Sequence, residues 1–402
     1  MGRFREALAP PGLQAIAEVK RKSPSAGELR PDADPAALAK GFAAAGAAAI
    51  SVLVDERFAG SVDDLRAARA ATDAPLIGKG FFSEEAQVRE LAEAGADAFL
   101  LILRDLSDEQ VARLRAYGAE LGLEALVEAH NAEELERGLA LGADPIGVNC
   151  RDLVSFAIDR RRQLELVSGI PQGRVIVAES GIWSRAQGAA AELAGASAVL
   201  VGSALMRSPE PAAKLQELIS RPLVKVCGLT RQEDVDAAAE AGADMAGFIL
   251  AAESPRQAPG VLEVPETMLS VAVLVGERQE TKADLIQLYQ RENGHRSRDA
   301  VLYLGVEPVA EVLDLPWLSE DAGHLDKAAV IAREKRVMLA GGLDPENVGV
   351  AIERVKPWAV DACSRLEAAV GIKDHERVRA FVQAARLATP PRVSIEDRRK
   401  EL

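Results

Sequence analysis

Short apolar runs recur along the chain, each entered from an Ala-rich stretch through an Ala-Gly-Ala turn or a close variant. The turn glycines fall at Gly46, Gly95, Gly142, Gly195 and Gly242, spaced 47 to 53 residues apart. The runs behind them read AAAISVLV, ADAFLLIL, ADPIGVNC, ASAVLVGS and ADMAGFIL. Glycine at such a point suits the left-handed residue that closes a helix. The runs lack strict alternation, which predicts parallel strands buried on both faces. An interval near 50 holds two strand–helix units, and further strand candidates lie at 16–20, 75–79, 123–128 and 174–179. Eight strands alternating with helices by about residue 202 predict a closed (β/α)8 barrel rather than an open sheet.

A second series begins at 222–228 and continues through MAGFIL, LSVAVLV, AVLYLG, RVMLAGG and WAVDAC. The fold class expected is α/β, with two tandem (β/α)8 TIM-type barrels, the second shortened and incomplete. Residues 1–220 form the first barrel, 221–388 the second, and 389–402 a polar, frayed tail. Only KLQELISRP connects the two series, so close packing of the barrels is expected.

Composition narrows the class. Hydrophobic residues make up 48% and charged residues 27%, as in globular proteins. The net charge is −14, with both signs interleaved, which argues against nucleic acid and leaves room for small anionic substrates. No run reaches the roughly 18 apolar residues of a membrane span, and the N-terminus lacks an apolar leader. Cys150, Cys227 and Cys363 show neither a disulfide framework nor a CxxC spacing, so a reducing cytoplasmic setting is expected. His130, His295, His324 and His375 are scattered, and no metal site is expected. A monomer without membrane contacts follows as the expectation.

In such barrels, residues at the C-terminal ends of the strands line the active site. Those positions collect Glu18 and Lys20, Lys79, Glu128, Asn149, Glu179 and Ser180, then Gly202 and Ser203. Two lysines and three glutamates sharing one mouth would be costly to bury without a purpose. Each alone reads as readily as a solvated loop residue or an ion pair as it does as a functional group. Together they suit general acid and base chemistry.

IAEVKRKSPSAG (16–27), ISVLVDERFAGSVDDL (50–65), LVEAHNAEEL (126–135), IGVNCRDL (146–153), VAESGI (177–182) and VLVGSALM (199–206) resemble, in order and spacing, the indole-3-glycerol phosphate synthase family. The resemblance implies that Lys79 protonates the substrate carbonyl during ring closure. It makes Glu128 the acid/base group of the later dehydration. It places Lys20 on the anthranilate carboxylate and has Glu18 and Asn149 position ring and hydroxyls. Glu179, Ser180, Ser23 and Arg151 complete the pocket, and Gly181, Gly202 and Ser203 cradle the phosphate. Two departures stand out. Gly80 replaces the Asp that usually follows the strand-three lysine, and the family carries a further segment ahead of the position of Arg3, so a weakened synthase is expected.

LVKVCGLTRQEDVDAAAEAGAD (223–244) resembles the start of the phosphoribosylanthranilate isomerase family. A lone Cys is usually a small buried hydrophobe. The resemblance instead makes Cys227 a catalytic thiolate, with Lys225 or Arg256 lowering its pKa. It also implies substrate binding by Arg256 and phosphate binding by Gly341 and Gly342. The family's fourth strand ends in Gln-Leu-His-Gly, and Leu302-Tyr303-Leu304-Gly305 reads as its counterpart. Only 32 residues then separate Gly305 from Val337, too few for two further strands with their helices. Residues 312–314 read as the stub of strand six, with Asp314 as the general acid. Three functions are thus in competition: a bifunctional enzyme without organic cofactors, a working synthase joined to a weak isomerase-like domain, and another phosphate-binding barrel such as a histidine-pathway isomerase. The constellation of Glu18, Lys20 and Ser23-Pro24 speaks against the last.

Overall fold

The computed structural model describes residues 2–23, 26–151, 157–315 and 323–390. It divides into two compact units, residues 2–183 with 188–219, and residues 220–390 with 184–187. Pro24 and Ser25 of the first-strand motif, Asp152 and Leu153, and the tail beyond residue 390 lie outside the described residues.

The first unit holds a closed barrel of eight parallel strands: β1 (Gln14–Val19), β2 (Ala49–Leu53), β3 (Leu76–Lys79), β4 (Ala98–Ile102), β5 (Glu124–Ala129), β6 (Ile146–Asn149), β7 (Ile176–Glu179) and β8 (Ala198–Val201). Closure is direct, with Gln14 opposite Ala198. Every residue of β1, β2 and β4 is buried, which is why these runs show no alternation. Helix α1 (Arg3–Leu8) sits ahead of β1 and buries Phe4 and Leu8 completely. Glu124, at the start of β5, accepts from the Phe4 and Arg5 amides at 2.8 and 3.2 Å, satisfying donors that a helix start leaves unpaired. Helices α2 (Pro35–Ala44), α3 (Val62–Ala71), α4 (Glu85–Glu93), α5 (Asp108–Glu120) and α6 (Ala132–Ala140) follow the next strands in turn. Asn131 caps α6 by accepting from the Glu134 amide at 2.9 Å.

The second unit is also closed by eight strands: β9 (Leu223–Cys227), β10 (Met245–Ile249), β11 (Leu269–Val275), β12 (Leu285–Glu292), β13 (His295–Leu304), β14 (Glu307–Asp314), β15 (Val337–Ala340) and β16 (Ala359–Ala362). The expected loss of strands is therefore corrected: what is missing is helices. Residues 250–268 and 276–284 connect parallel strands without a helix, and β13 runs antiparallel to both neighbours. The strand-four assignment also changes. The run ending in Leu304 is the fifth strand, and the fourth presents Gln287-Leu288-Tyr289-Gln290. The physical cause is the Asn293-Gly294 pair, whose φ values of 52° and 83° make the two-residue turn that matches strand twist. A second two-residue turn at Gly305 and Val306 leads into β14, so a helix-free hairpin series fills the space of two strand–helix units. Among the described residues, no helix is long and apolar enough to cross a membrane.

The hairpin account carries its own check. A Cβ at Gly294 would meet nothing within 4 Å, so any cost of Gly294→Val comes from its φ alone. Chemical denaturation followed through the second unit should show a loss of about 1–2 kcal/mol, with Asn293→Gly near neutral. Equal stability of Gly294→Val and wild type would contradict the turn.

Candidate active sites

The C-terminal ends of β1, β3, β5, β6, β7 and β8 converge on one mouth, because parallel strands all end on the same face. The cavity there is lined by Glu18, Lys20, Ser23, Lys79, Glu128, Asn149, Arg151, Ser180, Gly181, Gly202 and Ser203, so all but one of the residues proposed from the first half touch it directly. The exception, Glu179, is fully buried just beneath it and reaches Lys79. Phe58, Phe81, Leu100, Ile102 and Trp183 form an apolar wall that the sequence reading missed. Phe58 and Phe81 stack with centroids 6.4 Å apart, and the Arg57 guanidinium lies 3.8 Å over Phe81.

The electrostatics centre on one ammonium. Lys79 Nζ lies 2.6 Å from Glu179, 3.6 Å from Glu18 and 3.8 Å from Glu128. Lys20 pairs with the other oxygen of Glu18 at 2.8 Å. Burial works against the Lys79 charge, yet Glu179, Glu18 and Glu128 together outweigh it and raise its pKa. Burial likewise opposes ionisation of Glu18, and the two lysines overcome it to lower its pKa. Glu128 is brought down to about 2 against its burial, chiefly by His130 and then by Lys79. Glu179 moves the other way, up to about 8, because burial and the Glu128 charge exceed the pull of Lys79. Glu128 Oε2 and Glu179 Oε1 are both buried with no hydrogen-bond donor among the described residues, and a proton on Glu179 would supply one.

Two glycines make room for these acids. A Cβ at Gly202 would fall 2.3 Å from Glu18 Oε1, and one at Gly147 would fall 2.3 Å from Glu179 Oε1. Gly181, with φ of 72°, and Ser203, the first residue of a short helix after β8, both line the cavity.

The second mouth is built by β9, β12, β14, β15 and β16. Lys225, completely buried, donates to Asp361 at 2.8 Å and to Gln287 at 2.9 Å. Gln287 in turn donates to the Tyr289 hydroxyl at 2.9 Å. Cys227 ends β9, and Cys363 follows β16, one residue beyond the Val226–Ala362 register pair. Cys363, beside Cys227 on the neighbouring strand end, and Lys225 together lower the Cys227 pKa to about 7 against its burial. Asp314 ends β14, which runs parallel to β15 and so points to the same mouth. It pairs with Arg296 at 3.1 Å, but burial dominates and its pKa is raised. Arg296 also lies 4.1 Å over the Tyr289 ring. Arg256 is held by Glu367 through two contacts of 2.7 and 2.9 Å. Gly341 and Gly342, with φ of 103° and 81°, form the turn after β15, where Asn347 donates to the Gly342 carbonyl at 3.0 Å. Sequence reasoning overlooked Asp361, Gln287, Tyr289 and Cys363. Locating the fourth strand correctly would have exposed Gln287 and Tyr289.

Two barrels with acid–base clusters at their strand ends define a tandem of TIM-barrel enzymes. Residues 2–218 match the family described as Indole-3-glycerol phosphate synthase, and residues 311–384 match N-(5'phosphoribosyl)anthranilate (PRA) isomerase. An indole-3-glycerol phosphate synthase of Nocardioides sp. (strain ATCC BAA-499 / JS614) is 49% identical over 212 residues, 52% of this chain and 80% of that protein. The tryptophan biosynthesis protein TrpCF of Yersinia pestis is 34% identical over 425 residues, spanning 96% of this chain and 87% of its own length. A multifunctional tryptophan biosynthesis protein of Phycomyces blakesleeanus is 34% identical, with 92% of this chain and 62% of that protein covered. The chain belongs to the indole-3-glycerol phosphate synthase family, in the bifunctional form that joins it to a phosphoribosylanthranilate isomerase barrel.

The close packing of Gly202 against Glu18 can be tested directly. Gly202→Ala should still fold, with a lowered melting midpoint, and should lose about tenfold or more in synthase kcat/KM, because Glu18 must move away from both lysines. Full activity in that variant would show that the Glu18 position is dispensable.

Proposed function

We propose that the first barrel converts carboxyphenylamino-deoxyribulose phosphate to indole-3-glycerol phosphate, and that the second isomerises phosphoribosylanthranilate to supply it. The observation that carries the first reading is the Lys79 ammonium, held among three buried carboxyl groups beside an apolar wall. The wall suits the anthranilate ring, and Lys20 faces its carboxylate. Lys79 donates its proton to the substrate carbonyl as the ring carbon attacks, and carbon dioxide leaves. The hydroxyl left on the new ring then departs as water with a proton from Lys79, recharged from solvent, and Glu128, ionised, takes the proton whose loss forms the double bond, while Asn149, which donates to it at 3.2 Å, fixes its orientation. Gly181, Gly202 and Ser203 present backbone donors to the phosphate, with Ser23, Ser180 and Arg151 completing the contacts.

For the isomerase, Cys227 near its pKa at neutral pH suits removal of the C2 proton, and Asp314, kept more protonated by burial, suits ring opening. Arg256 binds the substrate carboxylate, and Gly341 with Gly342 the phosphate. The complete set of strands and the position of Asp314 favour two activities over an inert second domain. Both reactions use acid–base chemistry alone. A monomer working in the cytoplasm on phosphorylated metabolites, without nucleic acid, fits this reading.

Two measurements test the pair of assignments. Lys79→Ala should abolish indole formation while leaving isomerisation intact; more than a tenth of wild-type synthase turnover would refute the role of Lys79. Isomerase kcat/KM should rise as pH passes about 7, because the thiolate is the active form, and Cys227→Ala should lose at least about a hundredfold at every pH. An isomerase rate independent of pH from 6 to 8 would rule out Cys227 as the base.

A further inference from the structure

His130 is the one histidine that stands beside the first site, and the reaction as described leaves it unused. It follows Glu128 by two residues, just past the end of β5. Its Nε2 lies 3.1 Å from Glu128 Oε1, close enough for an ion pair though without an aligned hydrogen bond. On the other side its Nδ1 lies 3.2 Å from Glu134 Oε2, and the same oxygen accepts from the His130 amide at 2.8 Å. Glu134 is itself fixed, since Asn131 donates to its second oxygen at 2.7 Å. The ring is therefore clamped between an outer carboxylate on α6 and the inner carboxylate of the mouth. It stands behind Glu128 and is not among the residues that line the cavity.

We propose that His130 is a positioning residue that, as an imidazolium anchored by Glu134, holds Glu128 ionised and ready to accept a proton. The inference rests on the reading of Glu128 as the base of the dehydration step. The charges facing the pair come from every neighbouring element: Glu134 from α6 toward the ring, and Lys79 from β3, 3.8 Å from the second Glu128 oxygen. Asn149 from β6 adds a neutral donor. Without His130, Glu128 would face full burial, and repulsion from Glu179 once that group ionises, with only Lys79 in compensation. Burial alone would keep a cation off His130, yet the two carboxylates raise its pKa and so favour the imidazolium. The sign follows: a neighbouring cation favours the carboxylate, so its removal raises the Glu128 pKa and takes the base away at low pH.

The test is the pH profile of synthase kcat/KM in the full-length chain with His130→Gln. The acid limb should move upward by at least about one pH unit, while activity at the alkaline plateau stays within a few-fold of wild type. A uniform loss at all pH values with no movement of the limb would assign His130 a merely structural role and overturn the proposal, as would an unchanged profile. A second measurement needs no activity and no His130 variant. The imidazole of His130, one of four in the chain, is titrated by NMR in wild type and in Glu128→Gln. Its pKa should fall by about one unit in the variant, and an unchanged titration would overturn the coupling. Failure of the underlying reading shows differently, as Glu128→Gln that still completes dehydration.

Discussion

The Lys79 ammonium lies within 4 Å of the buried carboxyl groups of Glu18, Glu128 and Glu179 at the floor of the mouth. Burying a charge without a partner is expensive, and removing one member of a buried pair costs about 3–5 kcal/mol. The arrangement is tolerable only because each acid has a cation or a proton. Glu18 has two lysines, Glu128 has His130 and Lys79, and Glu179 keeps a proton near neutrality. That division gives the mouth an acid and a base a few ångströms apart. Much of the local backbone serves the same end: Gly147 and Gly202 are bare where the carboxylates need space, and four strand ends deliver the four groups to one point.

The second barrel solves a related problem with different groups. Lys225 is completely buried and held by Asp361 and Gln287, and its charge, with the Cys363 thiol, favours the Cys227 thiolate. In both mouths a buried lysine paired with a carboxylate helps lower the proton affinity of a neighbouring group. The scaffold around the second site is leaner, yet all eight strands remain and the mouth stays whole.

The first barrel was legible because its strands are apolar throughout and its helices end in regularly spaced glycines, so the strand ends pointed directly to Glu18, Lys79, Glu128 and Glu179. The second was misread where the period changed. Residues 285–314 form antiparallel hairpins, and the turn-forming Asn293-Gly294 was passed over in favour of a strand–helix expectation. The aromatic wall was invisible for a different reason: Phe58 ends a single 3-10 turn and Phe81 and Trp183 sit in loops, where no periodicity marks them. His130 stayed hidden because its meaning depends on Glu134, four residues on, folding back from α6.

The division of protons among the first-mouth carboxylates is open to direct observation. Isotope-edited infrared spectroscopy of the chain with labelled glutamate would separate protonated carboxyl from carboxylate bands. The account predicts one protonated carboxyl at pH 7 that titrates near 8 and is absent in Glu179→Gln. A spectrum with only carboxylate bands at pH 7, identical in the two proteins, would contradict it.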